Sequence, residues 1–500
     1  HFDMTRCIGC KCCEVACNEQ NGNSAALKWR RVGEIEGGSY PHVRRFHVSM
    51  ACNHCLEPSC LKGCPTDAYT KQDNGIVTHD AESCIGCGYC NWSCPYGVPQ
   101  FNPERRVVTK CHMCTDRLDD GDLPACVEAC PATAIEIEKV NVAEWRKAIA
   151  LADAPGVPPA DITMSTTRLT LPRDLPEDMA RETASLLEPE AAHYSLVAFL
   201  VFSQISVGAF VAALATTLLG APQLAGWLGV LGAATAHLSL LGTLFHLGRP
   251  VHALKAIRAW RRSWLSREVV VFSLYAGLAT LAPGLFLLQS FGIPLAAPSS
   301  PVNLTGELLP PGLPAVAHGL TALVGLLGIY CSARIYLLPS RPSWNSWRTI
   351  AQFFTTSATG GATLCALLAL LFETESATLR PGLGFMTVAA SLFSALLPWT
   401  LAMTGARESV DQQGVRQAAR LLSERFGSWL GLRTLALCST ACLAFAAPWA
   451  DSDGTTLALA GLALALVIVA ELMGRALFFV TVVPRHMPGD YFSKRGGEHG

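Results

Sequence analysis

The feature that most constrains this chain is the spacing of its cysteines. Of 21 in all, seventeen fall between Cys7 and Cys130, and sixteen of those form four groups of four. The first group is Cys7-x2-Cys10-x2-Cys13-x3-Cys17. The second is Cys52-x2-Cys55-x4-Cys60-x3-Cys64, followed by Pro65. The third is Cys84-x2-Cys87-x2-Cys90-x3-Cys94, followed by Pro95, and the fourth is Cys111-x2-Cys114-x11-Cys126-x3-Cys130, followed by Pro131. A secreted disulfide domain scatters its cysteines without a repeated short spacing. A C-x2-C-x2-C loop instead wraps one iron–sulfur cube, and a fourth cysteine three residues on, often before proline, reaches a second cube. Zinc sites share the C-x2-C pair but have no need of the x2-x2-x3 run. Sixteen thiolates therefore predict four [4Fe–4S] clusters. Cys12, wedged between ligands, reads as a small packed bystander.

A chain of 500 residues exceeds one ordinary core. Its 38 Lys+Arg nearly balance 39 Asp+Glu, which gives no sign of a nucleic-acid partner. Long apolar runs begin only near residue 193. The predicted fold class is an α+β ferredoxin-like domain with duplicated [4Fe–4S] modules over 1–137, followed by an all-α eight-helix transmembrane bundle over 193–486. A proline-rich linker over 138–192 joins them, and a polar tail covers 487–500. Within the linker, Asn141–Leu151 can form a short helix and Thr166–Pro172 reads as extended. The whole segment is either a solvated tether or a strap across a partner subunit. No secretory leader is expected, because polar His1-Phe2-Asp3 leads at once to Cys7.

Eight apolar stretches each approach the roughly 20 residues an α-helix needs to cross the lipid bilayer. They lie near 194–219, 223–247, 269–291, 312–338, 349–372, 382–404, 426–450 and 455–484. Gly208, Gly242, Gly325, Gly360 and Gly361 suit close helix packing. An even number of spans returns the C-terminal tail to the cluster side. Loops on that side carry Arg249, Lys255, Arg258, Arg261, Arg262, Arg267, Arg341, Arg348, Arg407, Arg416, Arg420, Arg425, Arg485, Lys494 and Arg495. The opposite loops offer Arg380 and otherwise Glu307, Glu373, Glu375, Asp451 and Asp453. The positive-inside rule places the iron–sulfur domain on the cytoplasmic side of a bacterial-type inner membrane. Thiol chemistry agrees with a reducing compartment.

Ionisable groups within a span are costly and mark functional sites. The candidate quinone-binding set is His246, Arg249, Arg334, Arg433, Glu471 and Arg475, gathered in the cytoplasmic half. Glu471 and Arg475 are four apart on one helix face, a spacing that also suits a structural ion pair. A quinone, ubiquinone or menaquinone, needs a partner that exchanges protons near neutral pH, and His246 fits that role. No haem is expected. His237 and His246 are nine residues apart and face opposite ways, while His237 and His318 differ in depth by about one helical turn.

The four cysteine motifs from Cys7 to Pro131 resemble the four-cluster ferredoxin subunit of the dimethyl sulfoxide reductase family of molybdenum enzymes. The resemblance implies that the motifs exchange ligands in pairs, giving four sets. These are Cys7, Cys10, Cys13 and Cys130; Cys17, Cys111, Cys114 and Cys126; Cys52, Cys55, Cys60 and Cys94; and Cys64, Cys84, Cys87 and Cys90. It also implies that the first-and-fourth pair faces the catalytic subunit and the second-and-third pair the membrane. The strings Phe-His-Leu-Gly-Arg-Pro (245–250), Ser-Trp-Leu-Ser-Arg-Glu (263–268) and Glu-Leu-Met-Gly-Arg-Ala-Leu-Phe-Phe (471–479), with Tyr336 through Gly361, are similar to the eight-helix haem-free anchor of the same family. That anchor uses the histidine matching His246 to bind quinol.

Two subunits that the family usually keeps separate are thus expected here in one chain. No residue is assigned to substrate catalysis. The chain reads as the electron-transfer subunit of an oxidoreductase complex whose molybdopterin sits in a separate large catalytic subunit. Sulfite oxidation is favoured by the cytoplasmic face. Reduction of dimethyl sulfoxide or another S- or N-oxide with electrons from menaquinol is the alternative, and a redox-linked ion-translocating protein is a third reading. Some relatives carry an aromatic residue at the middle position of the third motif and hold a three-iron cluster there. With Cys87 present, EPR of the oxidised intact protein is expected to lack a dominant three-iron signal.

Overall fold

The computed structural model describes residues 1–176, 178–181, 188–290, 312–372, 379–405, 413–447 and 453–489. Arg407, Lys494, Arg495, Glu307, Glu373, Glu375 and Asp451, used above for orientation, lie outside the described residues, as do the side chains of Arg380 and Asp453.

The cluster domain is built from a repeated unit. A one-turn helix, Ser59–Gly63, precedes an antiparallel pair, Tyr69–Lys71 with Val77–His79, and the same order recurs as Tyr89–Ser93 before Gln100–Asn102 with Val107–Thr109. Each helix stops at a cysteine before proline. Cys64 (φ −62°, ψ 123°) and Cys94 (φ −77°, ψ 117°) are extended, as a residue preceding proline must be. Glycine serves the ligand loop of the third motif, where Gly86 and Gly88 both adopt φ +70°. A three-stranded sheet, Arg44–Met50, Arg31–Gly37 and Ala180–Arg181, covers the first motif.

The segment after the last cysteine is woven onto this domain. Asn141 Oδ1 accepts from the amides of Ala143 and Glu144 and caps the helix Val142–Lys147. Trp145 is buried with Ala152 and Ala160, and its indole N–H donates to the Ser165 carbonyl at 2.8 Å. Leu169–Thr170 pairs in parallel with Phe2–Asp3, within the stretch expected to be extended. The described part up to Arg181 is therefore not a solvated tether: the apolar face of Trp145 and the free edge at Phe2 recruit it.

Eight described helices are long and apolar enough to span a membrane, in the order predicted. They are Tyr194–Leu218, Pro222–Thr243, Trp264–Ser290, Leu313–Tyr336, Trp347–Leu371, Leu379–Gly405, Gly427–Ala446 and Asp453–Val480. The third begins at Trp264 rather than 269. Arg267 and Glu268 interrupt the apolar run but sit in a helical first turn anchored by Ser263, whose hydroxyl donates to the Gly63 carbonyl. The first helix is central, packing on the second, fourth, fifth and eighth.

It crosses the fifth backbone to backbone. A Cβ at Gly208 would lie 2.0 Å from the Ser357 carbonyl oxygen, and one at Gly361 would lie 2.4 Å from Gly208 C. Gly325 and Gly360 are similarly confined by Val207 and Ile205, whereas Gly242 has nothing within 4 Å and plays no such part. A valine at 208 must push the two helices apart, a change that overpacking places at about 1–3 kcal/mol or more. Gly208→Val is expected to lower the thermal midpoint of detergent-purified protein by several degrees, while Gly242→Ala leaves it within error.

Candidate functional site

The fold gathers the sixteen thiols into four neighbourhoods. Cys7 lies within electrostatic reach of Cys130 and Cys10, and of Cys13. Cys17 is close to Cys111, Cys126 and Cys114. Cys52, Cys55, Cys60 and Cys94 form a third group, and Cys64, Cys84, Cys87 and Cys90 a fourth. The groups touch in sequence, Cys13 near Cys126 and Cys111 near Cys52. Cys52, Cys55, Cys60 and Cys94 line one cavity, and Cys7, Cys10, Cys13 and Cys130 another.

Burial, reinforced by neighbouring thiols, pushes Cys87 up to about 12 and Cys94 and Cys111 up to about 11. Cys60 and Cys90 are also raised well above the ordinary thiol value. Thiols so crowded would stay protonated unless a cation displaced the protons, which is the donor chemistry of an iron–sulfur cluster. Backbone amides complete the cradles: Gly86 N–H, Met113 N–H and Ala134 N–H donate to the sulfurs of Cys84, Cys111 and Cys130. Cys12, expected to be packed, is exposed beside Cys10.

The third motif rests directly on the membrane helices. Arg249 N–H donates to the Ile85 carbonyl at 3.0 Å and Gly248 N–H to that of Gly86 at 3.4 Å. A Cβ on Gly86 would approach Gly248 Cα to 3.0 Å, and one on Gly248 would meet the Arg106 carbonyl oxygen at 2.4 Å, so two glycines make this contact possible. The seam continues through Ser263 to Gly63, Lys255 to Glu82, and Tyr89 to Ile335, each a side-chain donor on a backbone carbonyl.

This docking delivers His246 to the cluster loop, where its ring lies against the backbone of Cys87. The imidazole lies in a box of rings. His193 is edge-on to it at 5.6 Å between centroids, and Trp92, between Cys90 and Cys94, is 6.4 Å away. Phe479, Tyr336 and Trp344 pack around Trp92. Behind them the buried Arg341 guanidinium lies 5.0 Å over Trp344 and 3.6 Å from Glu190. Phe245 (86% exposed) and Tyr194 (70% exposed), the chain neighbours of His246 and His193, lie at the surface.

The other expected quinone residues are not brought to His246. Arg249 uses its guanidinium on the carbonyls of Ala81 and Arg105 and serves the seam. Arg334 stacks over Trp264 at 4.8 Å. Arg433, Glu471 and Arg475 form a buried network. Glu471 is 3.6 Å from Arg433 and accepts from Ser394 and Thr356, and Arg475 donates to Gln204 at 2.8 Å while lying 4.0 Å over Phe353. Glu471's ion pair is thus with the seventh helix rather than with Arg475 on its own. Arg475 and Glu471 are four and eight residues before Phe479, about one and two turns deeper than the box, because the eighth helix ends at it. His237 hydrogen-bonds the Ala233 carbonyl and Thr280 through its two nitrogens, and His318 meets Thr217 in the far half.

Sequence reading missed His193, Trp92 and Glu268. His193 precedes the first helix in a left-handed conformation (φ 48°), a position that hydropathy passes over as loop. Trp92 lies inside a cysteine motif, where attention goes to the sulfurs. Glu268, only 7% exposed, sits beside Ser332 and near Tyr89 and Tyr336.

Iron–sulfur cradles locked onto an eight-helix span define a membrane-anchored electron-transfer subunit. Comparison with known proteins agrees from both ends. Residues 43–140 match the 4Fe-4S dicluster domain model, and residues 190–296 and 302–480 match the DMSO reductase anchor subunit (DmsC) model. The sequence is 40% identical to an anaerobic dimethyl sulfoxide reductase chain of Escherichia coli over 154 residues, 29% of this protein and 74% of that one. It is 35% identical to a sulfite dehydrogenase subunit of Allochromatium vinosum over 177 residues, 31% of this protein and 74% of that one. With the anchor model covering more than half its length, this protein belongs to the DMSO reductase anchor subunit family, with an iron–sulfur subunit fused ahead of the anchor.

Burial holds His193 at about 4, helped by His246 and Arg341, and holds His486, beside Arg181 at the same seam, at about 4 as well. An unfolded imidazole titrates near 6.5, so the unfolded state binds more protons between these values. The stability contributed by the neutral rings is full above pH 6.5 and is lost as pH falls through 4. The thermal midpoint in detergent is expected to drop over that window, and His193→Phe to shallow the slope.

Proposed function

We propose that the chain carries electrons between a separate molybdopterin catalytic subunit and the membrane quinone pool through four [4Fe–4S] clusters. The ligand sets are the four thiol neighbourhoods, ordered from the Cys7 group through the Cys17 and Cys52 groups to the Cys64 group beside the membrane. The observation that carries this reading is the backbone pairing of Gly248 and Arg249 with Gly86 and Ile85, which brings His246 against the third cysteine loop. The clusters supply one-electron carriage when bound. The chain's own residues do the rest: His246 exchanges a proton with a quinone oxygen, His193 sits ready at the opposite edge, and Trp92 and Phe479 wall the ring in. The substrate enters from the bilayer beside the exposed Phe245 and Tyr194. Glu268, buried between Tyr336 and Ser332 with Arg334 nearby, is the second proton-exchanging group. Arg249 docks the domains, and Arg433, Glu471 and Arg475 hold the second half of the bundle together.

The basic described loops on the cluster side, Arg249 through Arg267, support a cytoplasmic iron–sulfur domain. That location and the likeness to a sulfite dehydrogenase subunit favour sulfite as electron donor, with electrons delivered to quinone. The likeness to dimethyl sulfoxide reductase chains supports the opposite flow, from menaquinol to an S-oxide. In membranes containing the complex, His246→Ala is expected to reduce quinone-coupled turnover at least a hundredfold while dye-linked activity persists. Running the assay with sulfite and with dimethyl sulfoxide identifies the substrate. Unchanged quinone kinetics in the variant would remove His246 from the site.

A further inference from the structure

We propose that His54 is a positioning residue of the electron path, its Nε2–H directed at Cys111 Sγ so as to raise the reduction potential of the cluster that Cys111 holds. This rests on the four-cluster reading above and deepens it.

His54 stands in the gap between Cys52 and Cys55 of the second motif, yet its ring does not face outward. It adopts φ +43° and is 3% exposed. A left-handed non-glycine residue costs on the order of 1 kcal/mol or more and persists only where its surroundings demand it. What demands it here is a pair of contacts. The Val77 amide donates to His54 Nδ1 at 3.0 Å, and Nε2 lies 4.0 Å from Cys111 Sγ.

The first contact decides the chemistry of the second. A ring nitrogen that accepts an N–H bond carries a lone pair, so the proton of the neutral imidazole resides on the other nitrogen. Nε2 is therefore the donor, and it points at a sulfur of a different motif. Lys110 fixes the distance, since its ammonium donates both to the Val77 carbonyl and, at 2.8 Å, to the Cys111 carbonyl. Strand, imidazole and ligand thus form one rigid unit. It lies where the second and third thiol groups meet, because Cys52 is among the nearest charges to Cys111.

A cluster gains negative charge on reduction, and that charge spreads onto its thiolate ligands. An N–H directed at one of them favours the reduced state and raises the potential. An apolar residue of similar bulk would fill the same space and leave the potential lower. The two functions of the ring, packing and donation, are separable.

The test is an EPR-monitored redox titration of the full chain in its membrane complex, comparing wild type, His54→Leu and His54→Gln. One of the four midpoints is expected to fall in His54→Leu by about 59 mV, a tenfold change for one electron. The other three should hold, and His54→Gln, which keeps an N–H at this reach, should recover at least half of the shift. Four unchanged midpoints with full iron content in His54→Leu would overturn the proposal. Should the leucine variant lose iron, wild-type protein carrying ring-15N histidine decides the matter. A 15N coupling on a reduced cluster that vanishes in His54→Gln supports the donor, and no difference between the two overturns it. Wild-type protein holding zinc, or far fewer than about sixteen irons, would instead defeat the four-cluster reading, so the two failures are distinct.

Discussion

The approach of two glycines, Gly86 in the third cysteine loop and Gly248 two residues past His246, is the contact on which the rest of the structure turns. With a side chain at either position, the strand-like pairing of Gly248 and Arg249 with Ile85 and Gly86 could not form. His246 would then lose its place against Cys87. Everything deeper in the bundle is ordinary helix packing. Everything farther out is ordinary cysteine-loop geometry. Only at this seam are the two parts held at atomic distance.

Most of the seam's side-chain donors come from the anchor, with Tyr89 to the Ile335 carbonyl and Arg181 to the His486 carbonyl running the other way. Arg249, Lys255, Ser263, Ser266 and Ser340 all donate from the anchor to backbone carbonyls of the cluster domain, at Ala81, Glu82, Gly63, Pro65 and Trp92. Carbonyls beside the cysteine loops are fixed by the ligand geometry, whatever the neighbouring side chains. The anchor therefore reads a surface that cannot drift without breaking a cluster cradle. Charge is treated differently farther into the membrane. Arg433, Glu471 and Arg475 are almost fully buried among hydroxyl, amide and aromatic partners. A network of that kind specifies which helices meet, at a desolvation cost that a simple apolar contact would avoid.

How much of this was legible in the sequence depends on the range of the interactions. Cysteine spacing is a local signal, and the second and third motifs each lie on a loop and one-turn helix that stops at a Cys-Pro step. Hydropathy is also local, and the eight helices follow from it, with the largest error where Arg267 and Glu268 break the apolar run of the third and smaller ones at the C-terminal ends of the second and eighth. The linker could not be read, because the partners of Trp145 and Leu169 are Ser165 and Phe2, and pairing of the latter kind leaves no trace in composition. The depth of the charged residues was misjudged for a related reason. Position within an apolar stretch gives distance along one helix. It does not say that Arg475 reaches inward to Gln204 while Phe479, one turn away, turns to His193. His193 itself sits in a connecting residue, where no periodicity marks it.

Fusion of the cluster domain to the anchor adds something that docking alone does not. A covalent link makes association intramolecular and so independent of dilution. It does not set the register, since the last cysteine of the fourth motif is far along the chain from Tyr194 and the intervening segment is tied mostly to the cluster domain. Register comes from the seam, closed at one edge by the glycine contact and at the other by the segment following the eighth helix, where Met487 N–H meets the Tyr96 carbonyl and Gly489 packs on Gly33. The anchor thus grips the cluster domain from both ends of its own sequence. A motion that separated the third cysteine loop from His246 would have to break both grips at once, and this keeps that separation short in a protein whose halves fold by unrelated rules.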